Sequence, residues 1–204
     1  MKTILLALIF LTAFSPLAKA DSPLTSTDIS SSYQDVAIVQ TAGTTEGVLT
    51  DELMVYLANE SNPIDVKMAV INQLSWNFDG KTNAVNYMAY LLKTKNYGTE
   101  AKLKKKGTAH DLICMAYLKA MDDYFDVKAA IVYADLAAKK NKKSYTIQLI
   151  AGMIKAQQAM DSDWCAVFKL TDAVRNNAGL TVDMRQEAIN KVFEYMDLYR
   201  DSCQ

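Results

Sequence analysis

The sequence predicts an all-α protein, a stack of antiparallel helices forming either an α-α superhelix or an irregular helical bundle. About seven to nine helices are expected after an N-terminal export signal. Three observations carry this. No segment alternates apolar and polar residues with period two, and the Asp79-Gly80 pair joins two helical patterns, not two strands. Only seven Gly and three Pro punctuate 204 residues, so elements are long and connections short. Repeatedly, a Ser, Thr, Asp or Asn stands just ahead of apolar residues at helical spacing, where its side chain can accept an unpaired backbone N–H.

Residues 1–20 read as a signal peptide. Lys2 supplies the positive start, Ile4 to Phe14 is apolar except for Thr12, and Ala18 and Ala20 form a small-residue cleavage pattern. The run falls short of the roughly 20 residues that cross a bilayer, and no later segment suits a transmembrane span. Cleavage after Ala20 would leave 184 residues starting at Asp21, expected in the periplasm or outside the cell as a soluble secreted protein. Residues 21–48 form a Ser/Thr-rich N-terminal segment and 49–204 a single helical domain, long enough for one substantial core.

Within the N-terminal segment, Asp28 to Thr41 puts Ile29, Tyr33, Val36 and Ala37 on one helical face. Thr50 caps a helix to Asn59, with Asp51 and Glu52 near the positive end of its dipole. Asn62 before Pro63 reads as a cap followed by proline at the first helical position. A helix from Thr82 to Lys93 carries Val85, Met88, Ala89 and Leu92 at helical spacing. Lys95 to Thr108 is a break with room for one helical turn. Thr108 then caps a helix to Tyr124, Asp126 one to Lys140, Ser144 one to Met160, Ser162 one to Asn176, and Thr181 the last, to about Arg200.

Three starts share a pattern. Asp65, Asp126 and Asp183 lie 61 and 57 residues apart, followed by Val66-Lys67, Val127-Lys128 and Met184-Arg185, then by Val70, Ile131 and Ala188. The pattern predicts Val66, Val70, Ile131 and Ala188 buried and Lys67, Lys128 and Arg185 exposed. Either a unit of three helices repeats, or separate capped helices simply begin alike. Met184-Arg185, Ala188 and Val192, like Val66-Lys67, Val70 and Leu74, resemble the second helix of a HEAT-type repeat over about ten residues per copy. The copy at Val127 departs from it, with Asp135 where an apolar residue belongs. The resemblance implies an α-α superhelix whose surface binds other molecules, and it assigns no functional residue.

Without Lys2 and Lys19 the chain has 20 basic and 23 acidic residues, a balance that points to no nucleic-acid partner. Its distribution is more informative. Antiparallel helices gather Lys93, Lys95, Lys102, Lys104, Lys105, Lys106, Lys139, Lys140, Lys142 and Lys143 at one end, and Asp122, Asp123, Asp126, Asp161 and Asp163 at the other. Lys104, Lys105, Lys106, Lys139, Lys140, Lys142 and Lys143 are thus a candidate face for an anionic envelope surface or acidic partner, the alternative being a solubilising rim. Cys114 sits in an apolar helix pattern and reads as a buried thiol. Cys165 and Cys203 lie toward the same end of the last two helices. A disulfide between them requires the tail to fold back, because Cys203 lies about 13 Å farther from the turn; otherwise both remain thiols.

Motifs for chemistry are sparse. The one histidine, His110, excludes a His-based metal cluster; with Asp111 and Cys114 it could form a dyad, or it is an ordinary residue near a cap. Gly80-Lys81-Thr82 matches the end of a phosphate-binding loop, but Ser75 replaces the required glycine. The five aspartates match no calcium loop and read as caps and solvated charges. No catalytic, cofactor-binding or metal residue is assigned. The methionines and tyrosines fill a core or line an adaptable groove. The expected function is a non-enzymatic helical-repeat protein binding a protein, peptide or envelope component. A carrier holding an apolar small molecule between helices is the alternative, and an enzyme of unrecognised type the third. These anticipate, in turn, an exposed surface, an enclosed apolar cavity, and a cleft of converging carboxylates.

Overall fold

A computed structural model describes residues 21–204; the expected signal peptide, residues 1–20, lies outside them. The described chain is all-helical. A 3-10 turn at Ser30–Tyr33 leads to ten α-helices: α1 (Ala37–Gly43), α2 (Asp51–Ala58), α3 (Ile64–Gln73), α4 (Asn83–Thr94), α5 (Glu100–Lys106), α6 (Ala109–Asp122), α7 (Lys128–Lys140), α8 (Tyr145–Ala159), α9 (Trp164–Arg175) and α10 (Gln186–Met196). A second 3-10 turn, Asp197–Cys203, follows α10 directly. The helix beyond the expected number is α5, where the Thr99 side chain accepts the Lys102 N–H and Glu100 pairs with Lys104. No strand forms among the described residues. A single bridge joins Ser144 to Thr181.

Helix α6 is the axis. Of its fourteen residues only Ala109, His110 and Lys119 escape burial. A helix apolar on every side must be surrounded, and α6 packs against α2, α3, α4, α7 and α8. Helix α8 runs beside it and touches α3, α7 and α9 as well. Met68, Met115 and Met153 fill gaps in this core, beside fully buried Tyr87, Tyr117 and Tyr133.

The helix starts show which sequence signals act locally. Thr50, Thr108 and Ser144 cap as read, and Thr108 forms a reciprocal box with Asp111. Elsewhere the roles shift. Asp163, not Ser162, caps α9. Pro63 itself occupies the cap position of α3, while the Asn62 amide donates to the Tyr56 carbonyl at 2.8 Å. Thr181 begins no helix: its N–H donates to Lys143 O at 2.7 Å and its carbonyl accepts from Tyr145 N at 3.1 Å. On α4 the buried face is Ala84, Tyr87 and Leu91, so the stripe with Val85 and Ala89 faces outward.

The three similar starts are not three copies of one unit. Asp65 lies in the first turn of α3, Asp126 precedes α7 and accepts the Lys128 N–H, and Asp183 caps a different helix. Its carboxylate accepts Ser144 Oγ at 2.6 Å and Thr146 N at 2.8 Å, at the start of α8. Val66, Val70 and Ala188 are buried and Lys128 is exposed, but Ile131 and Arg185 are only partly covered and Lys67 is 0 % exposed, opposite to expectation. Helices in a solenoid meet only near neighbours. Here the first turn reaches the last helix: Tyr33 donates to Asp65 at 2.8 Å and accepts the Arg185 N–H at 3.2 Å. The Arg185 guanidinium stacks 4.5 Å over the Tyr33 ring and pairs with Asp35.

Cys165 in α9 and Cys203 at the chain end form a disulfide, while Cys114 is a free, buried thiol. The 3-10 turn is what returns the tail onto α9. Closing a loop of 38 residues restricts the unfolded chain, which corresponds to roughly 4 kcal/mol of stability on the chain-entropy estimate. Replacing both residues with Ala should remove about that much from the denaturant unfolding free energy. Titrating thiols of the unfolded, unreduced protein should find one per chain; three would refute the bridge.

Candidate functional site

The lysines come together at one end. Lys104, Lys105 and Lys106 finish α5, Lys139 and Lys140 finish α7, and Lys142 and Lys143 occupy the turn into α8. Lys140 Nζ donates to the Lys105 carbonyl at 3.3 Å, which sets the two groups side by side, and Lys143 Nζ reaches Gly179 O at 3.0 Å. Lys104 is partly neutralised by Glu100 at 2.9 Å and lies 5.1 Å from the Tyr133 ring centre. Lys104 and the Tyr133 hydroxyl together hold the Glu100 carboxyl below its ordinary range. Lys105, Lys106, Lys139 and Lys142 are exposed and form no ion pair among the described residues.

Beneath this end lies a buried polar cluster. Asp111, without exposed surface, accepts Lys95 Nζ at 2.6 Å, the Tyr97 hydroxyl at 2.7 Å and the Thr108 N–H at 3.3 Å. It is therefore committed to capping and charge pairing, not to orienting His110. His110 Nδ1 instead faces Lys67 Nζ at 3.1 Å. With an ammonium donating, Nδ1 accepts and the ring proton resides on Nε2. Burial lowers the Lys67 pKa, and burial followed by the Lys67 charge lowers that of His110. Cys114 completes the cluster, its thiol pushed up to about 12 by burial. A covered thiol with so high a pKa is a poor nucleophile. The residues of the imagined dyad are neighbours without its chemistry.

The opposite end contains a recess of about 410 Å³. Its walls come from separate connections. The α3–α4 loop contributes Phe78, the α6–α7 loop Tyr124 and Phe125, and the residues after α8 Met160 and Asp161. The α3–α4 loop turns at Gly80, whose φ of 74° suits glycine, and Lys81 N donates to Asp122 O at 3.0 Å, anchoring the loop to the end of α6. Trp76 braces the aromatic wall edge-on, 5.0 Å from both Phe78 and Tyr124. The recess is half-open, unlike the enclosed cavity a carrier requires, and Phe78 and Phe125 are 60 % and 69 % exposed.

Of the aspartates expected at this end, Asp123, Asp126, Asp161 and Asp163 are exposed. Asp122 differs: it is buried, with its pKa pushed up to about 6 by that burial. Oδ2 accepts the Ala84 N–H at 2.7 Å and Oδ1 has no partner. No group of three or more His, Cys, Asp or Glu among the described residues is arranged to hold a metal ion. None of the described helices is long and apolar enough to cross a membrane. The aromatic recess escaped sequence reasoning because Trp76 and Phe78 lie outside helical periodicity; aromatic residues beside Asp in two separate turns were the available signal.

The His110–Lys67 contact has a pH signature. The folded state disfavours the imidazolium, so the unfolded chain binds more protons just below the ordinary histidine pKa of about 6.5. The contribution is complete above that value and is lost as pH falls through it toward the lower folded pKa. His110→Gln keeps an acceptor without titrating. Its unfolding free energy should therefore fall less than that of the native protein between pH 7 and 5, and parallel curves would contradict the contact. The chain matches no protein-family model, no curated protein and no solved structure, so function must be argued from these sites alone.

Proposed function

We propose that this is an exported, non-enzymatic binding protein that docks through its lysine end onto an anionic envelope surface. The observation that carries this reading is the row of exposed, unpaired Lys105, Lys106, Lys139 and Lys142 beside Lys140 and Lys143. Screening confines each ammonium field to about 8–10 Å, so a local positive face persists on a slightly acidic chain. Part of the arrangement follows from lysine's preference for helix C-termini, as at α5 and α7. Lys142 and Lys143, in the turn beyond α7, exceed that need. The Cys165–Cys203 bond is compatible with an oxidising compartment outside the cytosol.

Lysine acts here as a point charge on a flexible stem, so the contact would be strong at low salt and undemanding in geometry. Each lysine near an anionic bilayer contributes about 1 kcal/mol. Several acting together should give measurable association with phosphatidylglycerol vesicles at about 50 mM salt and at least tenfold weaker association at about 200 mM. Replacing Lys104, Lys105, Lys106, Lys139, Lys140, Lys142 and Lys143 with Gln should abolish it without unfolding the protein. Absence of binding by the native chain at low salt, or equal binding by the variant, would reduce this face to a solubilising rim.

A further inference from the structure

The aromatic recess lies at the acidic end and has features that solvent exposure alone does not favour. Two phenylalanine rings, Phe78 and Phe125, stand 6.5 Å apart, mostly exposed, where apolar surface is ordinarily withdrawn. Tyr124 packs beside them, its ring 4.2 Å from that of Phe125 and 6.4 Å from that of Phe78. The Tyr124 side chain is almost wholly covered, yet its hydroxyl has no hydrogen-bond partner. Covered polar groups ordinarily find a partner; this oxygen is enclosed, so the exposed Phe78 and Phe125 rings, not the hydroxyl, are the surface a ligand meets. Around the rings stand the carboxylates of Asp21, Asp126 and Asp161, with Lys128 as the local counter-charge. Phe78 also borders a second depression, lined by Asp79, Asp122, Asp123 and Lys81. The two depressions together present six carboxyl groups against the Lys81 and Lys128 ammonium groups, and the α-amino group of Asp21 adds a third positive charge once the expected export signal is removed.

We propose that this recess binds an arginine side chain within an extended basic segment of a partner protein. The recess, at about 410 Å³, lies toward the small end of ligand pockets and has room for one long side chain with its flanking backbone. A planar guanidinium is attracted to the faces of Phe and Tyr, and its fork of donors matches carboxylates at the rim. Arginine suits both demands better than lysine, whose compact ammonium is more strongly hydrated and does not stack. The occupant is a chain segment because the acidic field continues past Phe78 into the second depression, beyond the reach of one side chain. The inference does not rest on the lysine-end reading, since the two faces have opposite charge and share no residue.

The test uses a fluorescein-labelled heptapeptide of alternating glycine and arginine, with fluorescence anisotropy read at about 50 mM salt. Its control replaces each arginine with citrulline, which keeps the shape and removes the charge. The arginine peptide should bind the full chain, and the citrulline peptide at least about tenfold more weakly. Phe78→Ala with Phe125→Ala, and separately Asp126→Asn with Asp161→Asn, should each weaken binding at least about tenfold without lowering the melting temperature, because all four residues are exposed and Asn keeps the acceptor that Asp126 offers the Lys128 N–H. The seven-lysine variant should bind the peptide at least as tightly as the native chain, which separates this site from the lysine face. Equal binding of citrulline, no binding below about 1 mM, or full binding by the aromatic variant would overturn the proposal. So would competition by N-acetyl-arginine amide at the same concentration as the peptide, which would mark a site for a small cation instead.

Discussion

Burial of α6 on all sides is the constraint on which the rest of the structure depends. Its apolar residues gain roughly 1.5–3 kcal/mol each when removed from water, but its charged ends go with them. Each end is therefore built around a buried aspartate. At the start, Asp111 closes the capping box and takes the Lys95 and Tyr97 donors. At the finish, Asp122 receives the Ala84 N–H at the start of α4 and retains one unpaired oxygen. These contacts fix where the α3–α4 and α4–α6 connections cross the ends of the axis, and the other helices pack around it.

The electrical asymmetry follows from the same geometry. Short connections return the chain after α6 and again after α7, so the α7–α8 turn joins the start of α6 at one end. The start of α7 and the finish of α8 meet at the other. Lysines at helix C-termini and aspartates at N-termini are each favoured by the helix dipole. Because these termini fall at opposite ends, a chain of nearly balanced charge acquires a lysine face and an acidic recess.

Much of the helix pattern was legible because its signals are local. A side-chain oxygen that caps needs only the next three residues, and Thr50, Thr108 and Ser144 act that way. What stayed hidden depends on distant partners. Lys67 reads as an outward lysine until His110, 43 residues on, supplies an acceptor inside the fold. Asp183 reads as part of the start of its own helix but serves α8, 37 residues earlier. Helix α5 was obscured by its lysine-rich end, where charge masked the single inward residue, Leu103. The recess was least visible, since its rings come from loops brought together only when α3, α4, α6 and α8 are packed.

Native-state hydrogen exchange tests the dependence on α6 most directly. If α6 is the axis, the amides of Leu112 to Met121 should exchange only through global unfolding, with protection equal to the unfolding free energy from denaturant. The amides of α2 and α9, nearer the surface, should open at lower cost. Exchange across α6 that is faster than across α9, or that is insensitive to denaturant while the rest of the protein remains protected, would contradict this account.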